Sequence, residues 1–481
     1  MMFAEADPIG LDALEARLRQ DLEWLDYPAK AWTPPRLVAG RDVRDVVIIG
    51  AGMCGLVAGA ALRRLGIHNL EIYDRAAEGL EGPWMTFARM ETLRSPKQLT
   101  GPALGLPALT FRAWHEAQFG RQAWDALGKI PRGQWMGYLI WYRRVLGLPV
   151  FNNWELKAIR AFGPDLVEID LEGNGVANRV LARRLVLATG RDGLGGRHIP
   201  AFMNGIDRRF WVHSADDIDF VALKGKRVGV IGTGASAVDN AAAALEAGAS
   251  SLDLFVRRPD LPRINKFTGF GSPGVVHGFE ALPDDWKWRV LRYLNAEQTP
   301  PRDSTLRVSR HSNARLHLSA PIERVELAQG ALRVTTARGA HGLDFLICAS
   351  GFRVDLARRP ELVGLAADIR LWRDRFIPAE GEESDELAFS PDLGPDFEFQ
   401  EKAAGACPVL GRIHCFNFPA TLSHGRLSGD IPSTSEGADR LARGIVRSLF
   451  VEDRERHFLN LLAFDTPELL GDEWPAEQIS R

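Results

Sequence analysis

Apolar positions change their period twice between residues 44 and 74. RDVVIIG (44–50) is a continuous apolar run, as a strand buried on both faces shows, and MCGLVAGAALRRLG (53–66) has the length and composition of a helix. NLEIYD (69–74) returns to a short strand. The alternation strand, helix, strand is that of a parallel α/β sheet. A second unit of the same order begins at 226: KRVGVIG, then SAVDNAAAALEAG with its alanine run, then SLDLFVRR. Two further apolar strands, RRLVLATGRDG (183–193) and LDFLICASGF (343–352), end in small residues and glycine, where backbone can pass close to a ligand.

One of these strands follows the first unit and the other closes the second, so the second unit is expected to be inserted in the first. The fold class is α/β, with two Rossmann-like dinucleotide-binding domains. The expected division is an N-terminal helical extension (1–40), the first part of one domain (41–210), the inserted domain (211–355) and the remainder of the first (356–481). In the extension, Leu11, Leu14, Leu18, Leu22 and Leu25 recur at helical spacing and predict one amphipathic helix, ended by PAKAWTPPR and packed on the main body or on a second subunit. The acidic, turn-rich stretch 377–397 predicts an exposed loop.

The 481 residues leave each domain room for a buried core. With 59 basic and 62 acidic residues the formal charge is −3, and the absence of any basic tract argues against a nucleic-acid partner. The uncharged run 46–62 is borderline in length for a membrane span, but its glycines at 50, 52, 55 and 59 fit strand, turn and helix better. The first residues lack the basic flank and apolar run of a secretory signal, so the expected location is the cytoplasm. Four cysteines, at 54, 348, 407 and 415, form no CxxC pair, so neither a disulfide framework nor a metal site is expected.

GAGMCG (50–55) is a GxGxxG turn between strand and helix, and Asp74 ends the next strand nineteen residues after Gly55. Gly50 permits the tight turn, Gly52 lets backbone approach a pyrophosphate, Gly55 lets helix and strand pack, and the helix N-terminus offers N–H groups to the anion. Asp74 suits the ribose hydroxyls of an unphosphorylated adenosine. GTGASA (232–237) repeats the device through Gly232, Gly234 and Ala237, but Arg257 and Arg258 stand where the first unit has its acid. A guanidinium there suits a 2′-phosphate, so NADPH is expected in the second cradle.

The order GAGMCG, EGPW (81–84), ATG (188–190), HS (213–214), GTGASA and CASGF (348–352) resembles that of the class B flavoprotein monooxygenases, over roughly residues 44–450. The resemblance implies FAD in the first cradle and NADPH in the second. It adds Gly82, Trp84, Gly190, Ser236, Gly351 and His424 to the cofactor-binding positions already named. METLRSPKQL (90–99), KIPRGQWMGYLIWY (129–142) and SHGRLSGD (423–430) look like segments of the N-hydroxylating ornithine and lysine branch, which implies Lys97 near the flavin and nicotinamide. FVRRP (255–259) is similar instead to the Baeyer–Villiger enzymes, while Glu81 replaces the first glycine of the usual GGTW and Arg209 breaks their FxGxxxHxxxW fingerprint.

The chemistry this implies is NADPH reduction of FAD, addition of oxygen at flavin C4a, and transfer of one oxygen atom to a small molecule, most simply an amine nitrogen. Baeyer–Villiger or ring oxygenation, or a reductase without oxygen insertion, are the alternatives; a cofactor-binding protein without catalysis is a further one. The cofactor carries the hard step. Lys97 and Arg94 are the candidate positive groups at that centre. His213 reads as a satisfied turn histidine, and Trp114, Trp124, Trp135 and Trp141 as buried core before a substrate entrance. Ser433 and Glu436 predict a capping box whose helix N-terminus faces the flavin.

Overall fold

The computed structural model describes residues 9–475 and Gln478. A first helix, α1 (Leu11–Trp24), buries Leu14 and Leu18 and packs on the body of the molecule; Glu15 accepts from Trp141 Nε1 at 3.1 Å and pairs with Arg144. The predicted stripe ends early, since Leu25 caps the helix and is half exposed.

The first unit runs β1 (Arg41–Ile49), α2 (Met53–Arg64) and β2 (Leu70–Asp74). Two helices, α3 (Phe111–Ala126) and α4 (Arg132–Val145), precede β3 (Val150–Asn152), β4 (Trp154–Phe162), β5 (Leu166–Gly173) and β6 (Val176–Leu187). The sheet order is β3-β2-β1-β6, parallel throughout. The first half of β6 also pairs antiparallel with β5, so one strand serves a parallel sheet and a hairpin ladder. Val46, Val47 and Ile48 are fully buried, as an apolar run covered on both faces requires. Trp114, Trp124, Trp135 and Trp141 are core residues too, Trp135 without any exposed surface.

The second sheet uses β7 (Trp211–His213), β8 (Arg227–Ile231), α5 (Ala235–Glu246), β9 (Ser251–Phe255) and β10 (Ala314–His317). After an antiparallel meander of β11 (Ile322–Ala328), β12 (Ala331–Thr336) and β13 (Gly339–Leu343) comes β14 (Phe345–Cys348). The order β10-β9-β8-β14-β7 is all parallel, with the chain reversing its direction of growth beside β8. The chain then returns to the first sheet: β15 (Ile413–Cys415) pairs parallel with the end of β6, and α6 (Thr434–Glu452) packs on α2. Helix α7 (Arg454–Ala463) follows.

Two expectations are corrected. The stretch 377–397 is exposed over its first half, through Glu386, and again at Pro395, but Leu387, Leu393 and Phe397 are buried, and so is Asp392, which accepts from Arg370 and Arg375 at 2.6 and 2.9 Å. Of its acids, Asp392 is the buried one, held in an internal ion pair. The capping box at Ser433 does not form either, because Ser433 has φ −117° and ψ 10°, away from the extended backbone that turns a cap hydroxyl toward the first N–H groups. Ser435 is the engaged hydroxyl, donating to the Gly101 carbonyl and accepting from the Leu104 N–H.

Candidate functional site

Both glycine turns open into one cleft of about 2130 Å³ between the two sheets. In the first turn Gly50 has φ +103°, and a Cβ there would lie 2.4 Å from the Ala188 carbonyl oxygen. A Cβ on Gly55 would lie 1.7 Å from the Gly50 oxygen, so both positions are closed to any side chain. Gly52 is different: its nearest neighbours are the Gly82 backbone atoms at 3.8 and 3.9 Å, and its free side faces the cleft. It opens α2 with no side-chain cap and no acid in the first turn, so the helix end remains available to an anion. A dinucleotide pyrophosphate fits this cradle.

Asp74 is buried and holds both sides of the turn, accepting from the Ala51 and Ala76 N–H groups at 2.7 Å each. Gly82 and Trp84 sit on the loop above. Glu81, where a glycine is usual, anchors this loop by accepting from Arg143, Asn152 and the Gly79 N–H at 3.1, 2.6 and 2.8 Å. Arg132 fastens the far end through the Trp84 and Ala88 carbonyls. Gly190, with φ +80°, lets the chain leave β6 into the cleft.

The second cradle repeats the geometry with more room. Gly232 has φ +123° and abuts the Ala349 carbonyl; Ala237 is fully buried; Gly234 opens α5 uncapped with nothing near its Cβ position, and Ser236 follows on the rim. Gly351 lies across the cleft at φ +82°. Arg257 and Arg258 both line the cleft, but the Arg258 guanidinium is held by the Ala296 carbonyl, leaving Arg257 exposed toward the ligand space.

Two histidines are structural in their contacts. His213 is fully buried; Nδ1 accepts from the Ala215 N–H at 3.1 Å, so Nε2 carries the proton and donates to the Gly351 carbonyl at 2.9 Å. Burial pushes its pKa down to about 4, and it stays neutral. His424 stacks on Phe397 with centroids 3.9 Å apart and bonds the Gly394 carbonyl, and burial together with Arg440 lowers it to about 3. It also lines the cleft.

Lys97 is not brought to the flavin side. Its ammonium donates to the Trp124 and Asp125 carbonyls at 2.5 and 3.2 Å and lies over the Trp124 ring, where it neutralises the C-terminal end of α3. Arg94 does enter the cleft, and it has company the linear sequence did not reveal. Arg191 lies over Phe418 at 4.3 Å and Arg426 over Phe267 at 4.2 Å, with Arg426 paired to Asp430 at 3.3 Å. Burial, then the like charges of Arg426 and Arg191, hold the Arg94 guanidinium below its ordinary pKa, with Asp430 opposing. Burial also lowers Arg191, although Asp430 and Glu386 oppose it. Three guanidiniums thus stand with two carboxylates, Asp430 and Glu386, and this corner of the cleft carries an excess of positive charge.

Two uncapped nucleotide cradles facing one cleft offer room for two dinucleotides, and the 39% identity of nearly the whole chain to an FAD-dependent hydroxylase shows that it belongs to the FAD-dependent flavoprotein monooxygenases. Over 470 residues it is 39% identical to the FAD-dependent urate hydroxylase of Xanthomonas campestris pv. campestris, covering 97% of this chain and 98% of that one. A family model described as pyridine nucleotide-disulphide oxidoreductase matches residues 47–265. Among solved structures, the reduced form of ornithine hydroxylase from Pseudomonas aeruginosa superposes with a TM-score of 0.65 at 16% identity, over 85% of this chain and all of that one. L-lysine 6-monooxygenase from Pseudomonas syringae gives 0.63 at 16% identity, over 84% and 99%. All four cysteines are free, and among the described residues no helix is long and apolar enough to cross a membrane.

Proposed function

We propose that this monooxygenase hydroxylates a planar, acidic heterocycle, urate or a close relative, with the net change substrate–H + O2 + NADPH + H⁺ → substrate–OH + NADP⁺ + H2O. The observation that carries the reading is the cluster of Arg94, Arg191 and Arg426 in the cleft. An amine substrate would add positive charge to that corner, whereas a delocalised anion would relieve it and match the planar guanidinium forks. The relative's urate hydroxylation agrees with this choice.

FAD, reduced by NADPH, supplies the oxygen-activating chemistry when bound. In this reading, Gly50, Gly52, Gly55 and Asp74 hold its pyrophosphate and ribose, with Gly82, Trp84 and Gly190 closing over it. Gly232, Gly234, Ser236 and Ala237 hold the NADPH pyrophosphate, and Arg257 takes the 2′-phosphate. His213 ties the start of the nucleotide-binding insert (211–355) to its end through the Gly351 carbonyl. Arg94, Arg191 and Arg426 bind and orient the substrate anion, while Phe267 and Phe418 stiffen two of them and keep water from their faces.

The test is oxygen uptake and NADPH consumption by the FAD-loaded enzyme with urate, ornithine, lysine and cadaverine, followed by product mass. Urate alone should stimulate both and gain one oxygen atom. Arg191→Met should raise the urate KM by roughly 10- to 100-fold, the loss of a charged hydrogen bond of about 1.5–3 kcal/mol. Stimulation by a diamine and not by urate would sink the assignment.

A further inference from the structure

On the side of β9 and β10 that meets the meander, three side chains far apart in sequence converge. Asp253 on β9, His317 on β10 and His341 on β13 each bring one ligand atom within 4.8 Å of the other two. His317 Nε2 stands 2.6 Å from Asp253 Oδ1. The two imidazoles meet edge to face with centroids 4.7 Å apart. Phe255 lies flat against His317 and edge-on to His341, so the ring planes are fixed by packing. His341 Nε2 is buried and has no hydrogen-bond partner, a cost that a folded protein rarely leaves unmet.

We propose that Asp253, His317 and His341 form a binding site for one divalent zinc ion. Two imidazole nitrogens and one carboxylate oxygen are a ligand set zinc takes readily, at about 2.0–2.2 Å each, leaving the fourth tetrahedral position to water. Ligand atoms already within 4.8 Å of one another need only small side-chain rotations to close on that geometry. The unpaired nitrogen then has a partner. Sequence gave no sign of the site, since the residues follow no close spacing and are joined only by strand pairing and the meander's fold-back.

The location gives the ion a structural consequence. It would pin the meander to the strand end at Phe255, which lines the cleft two residues before Arg257. Phe255 stands between it and the cleft, and the site touches none of the substrate arginines.

Equilibrium dialysis of the FAD-loaded enzyme against zinc chloride, with metal content by mass spectrometry, tests this. One zinc per chain is expected in the wild type, with a rise in thermal midpoint on adding zinc. His341→Ala and His317→Asn should each weaken binding by more than the about 10- to 100-fold that loss of a ligand's hydrogen-bonding neighbour costs, and abolish the thermal shift. Wild-type protein that retains no zinc, or variants that bind it as well as wild type, would overturn the site. Should a variant fail to retain flavin, anomalous scattering at the zinc edge from zinc-soaked wild-type crystals decides the matter, by a peak between Asp253 and His317 or by none.

Discussion

The imidazole of His213 reaches across 138 positions of sequence to the Gly351 carbonyl, joining the end of β7 to the turn after β14. Both of its nitrogens are committed, so it has no proton to offer a reaction and a great deal of structure to lose.

His213 shares with His414 and His424 a pKa depressed by burial, to about 4, about 4 and about 3 respectively. Unfolded, each takes up a proton near pH 6.5, so the stability they contribute is complete above that pH and is lost as pH falls toward 4. The full shift is worth up to about 3 kcal/mol for His213 and His414 and about 5 kcal/mol for His424. Urea unfolding between pH 7.5 and 4.5 should show this decline, and His414→Gln should flatten it; an equal slope in the variant would count against the assignment.

Discrimination between NADPH and NADH should rest on Arg257 more than on Arg258, whose guanidinium is already held by Ala296. Arg257→Ala should lower the ratio of kcat/KM for NADPH over NADH by roughly 10- to 100-fold, or about 1.5–3 kcal/mol, with a smaller change in Arg258→Ala. Equal ratios in wild type and Arg257→Ala, by steady-state kinetics with both nucleotides, would remove the 2′-phosphate role.

Glycines of the two cradles should respond differently to alanine. Gly50→Ala adds left-handed backbone strain of about 1–3 kcal/mol to a Cβ clash with Ala188, and is expected to abolish soluble, flavin-loaded protein. Gly234→Ala meets nothing in the fold and has φ −75°, so it should fold, keep its flavin and raise the NADPH KM at least about tenfold by intruding on the pyrophosphate. Flavin content and KM measured together check both.

Lys97→Met should lower stability by about 1 kcal/mol through the lost bonds to the α3 carbonyls while leaving substrate-stimulated turnover within about twofold. A large fall in turnover at unchanged thermal midpoint would return Lys97 to the active centre.

Both nucleotide cradles were legible in sequence because each is a local device: a strand, a glycine turn and a helix within thirty residues, with the discriminating acid or arginine one strand later. The arginine corner was not. Arg94, Arg191 and Arg426 come from a loop, the exit of β6 and the segment before α6, and only the closing of the first sheet by β15 brings them together. Lys97 was misplaced for the opposite reason: its neighbourhood was right, but a long flexible side chain follows the nearest strong acceptors, here the carbonyls at the end of α3. At 377–397 a count of acidic residues suggested solvent, and the arginines at 370 and 375 that internalise Asp392 lay outside the window.

Leu187, near the end of β6, pairs with Ile49 on one side and with Cys415 on the other. A chain emerging from the ribosome therefore carries both glycine turns long before it carries the strand that completes the first sheet. The cradle wall at Ala188 and Gly190 remains one strand short until about residue 415 has been made, so the first cradle is completed only late in biosynthesis, after the second sheet has had time to fold. Truncation near residue 400 should leave a finished second sheet on an unfinished first one.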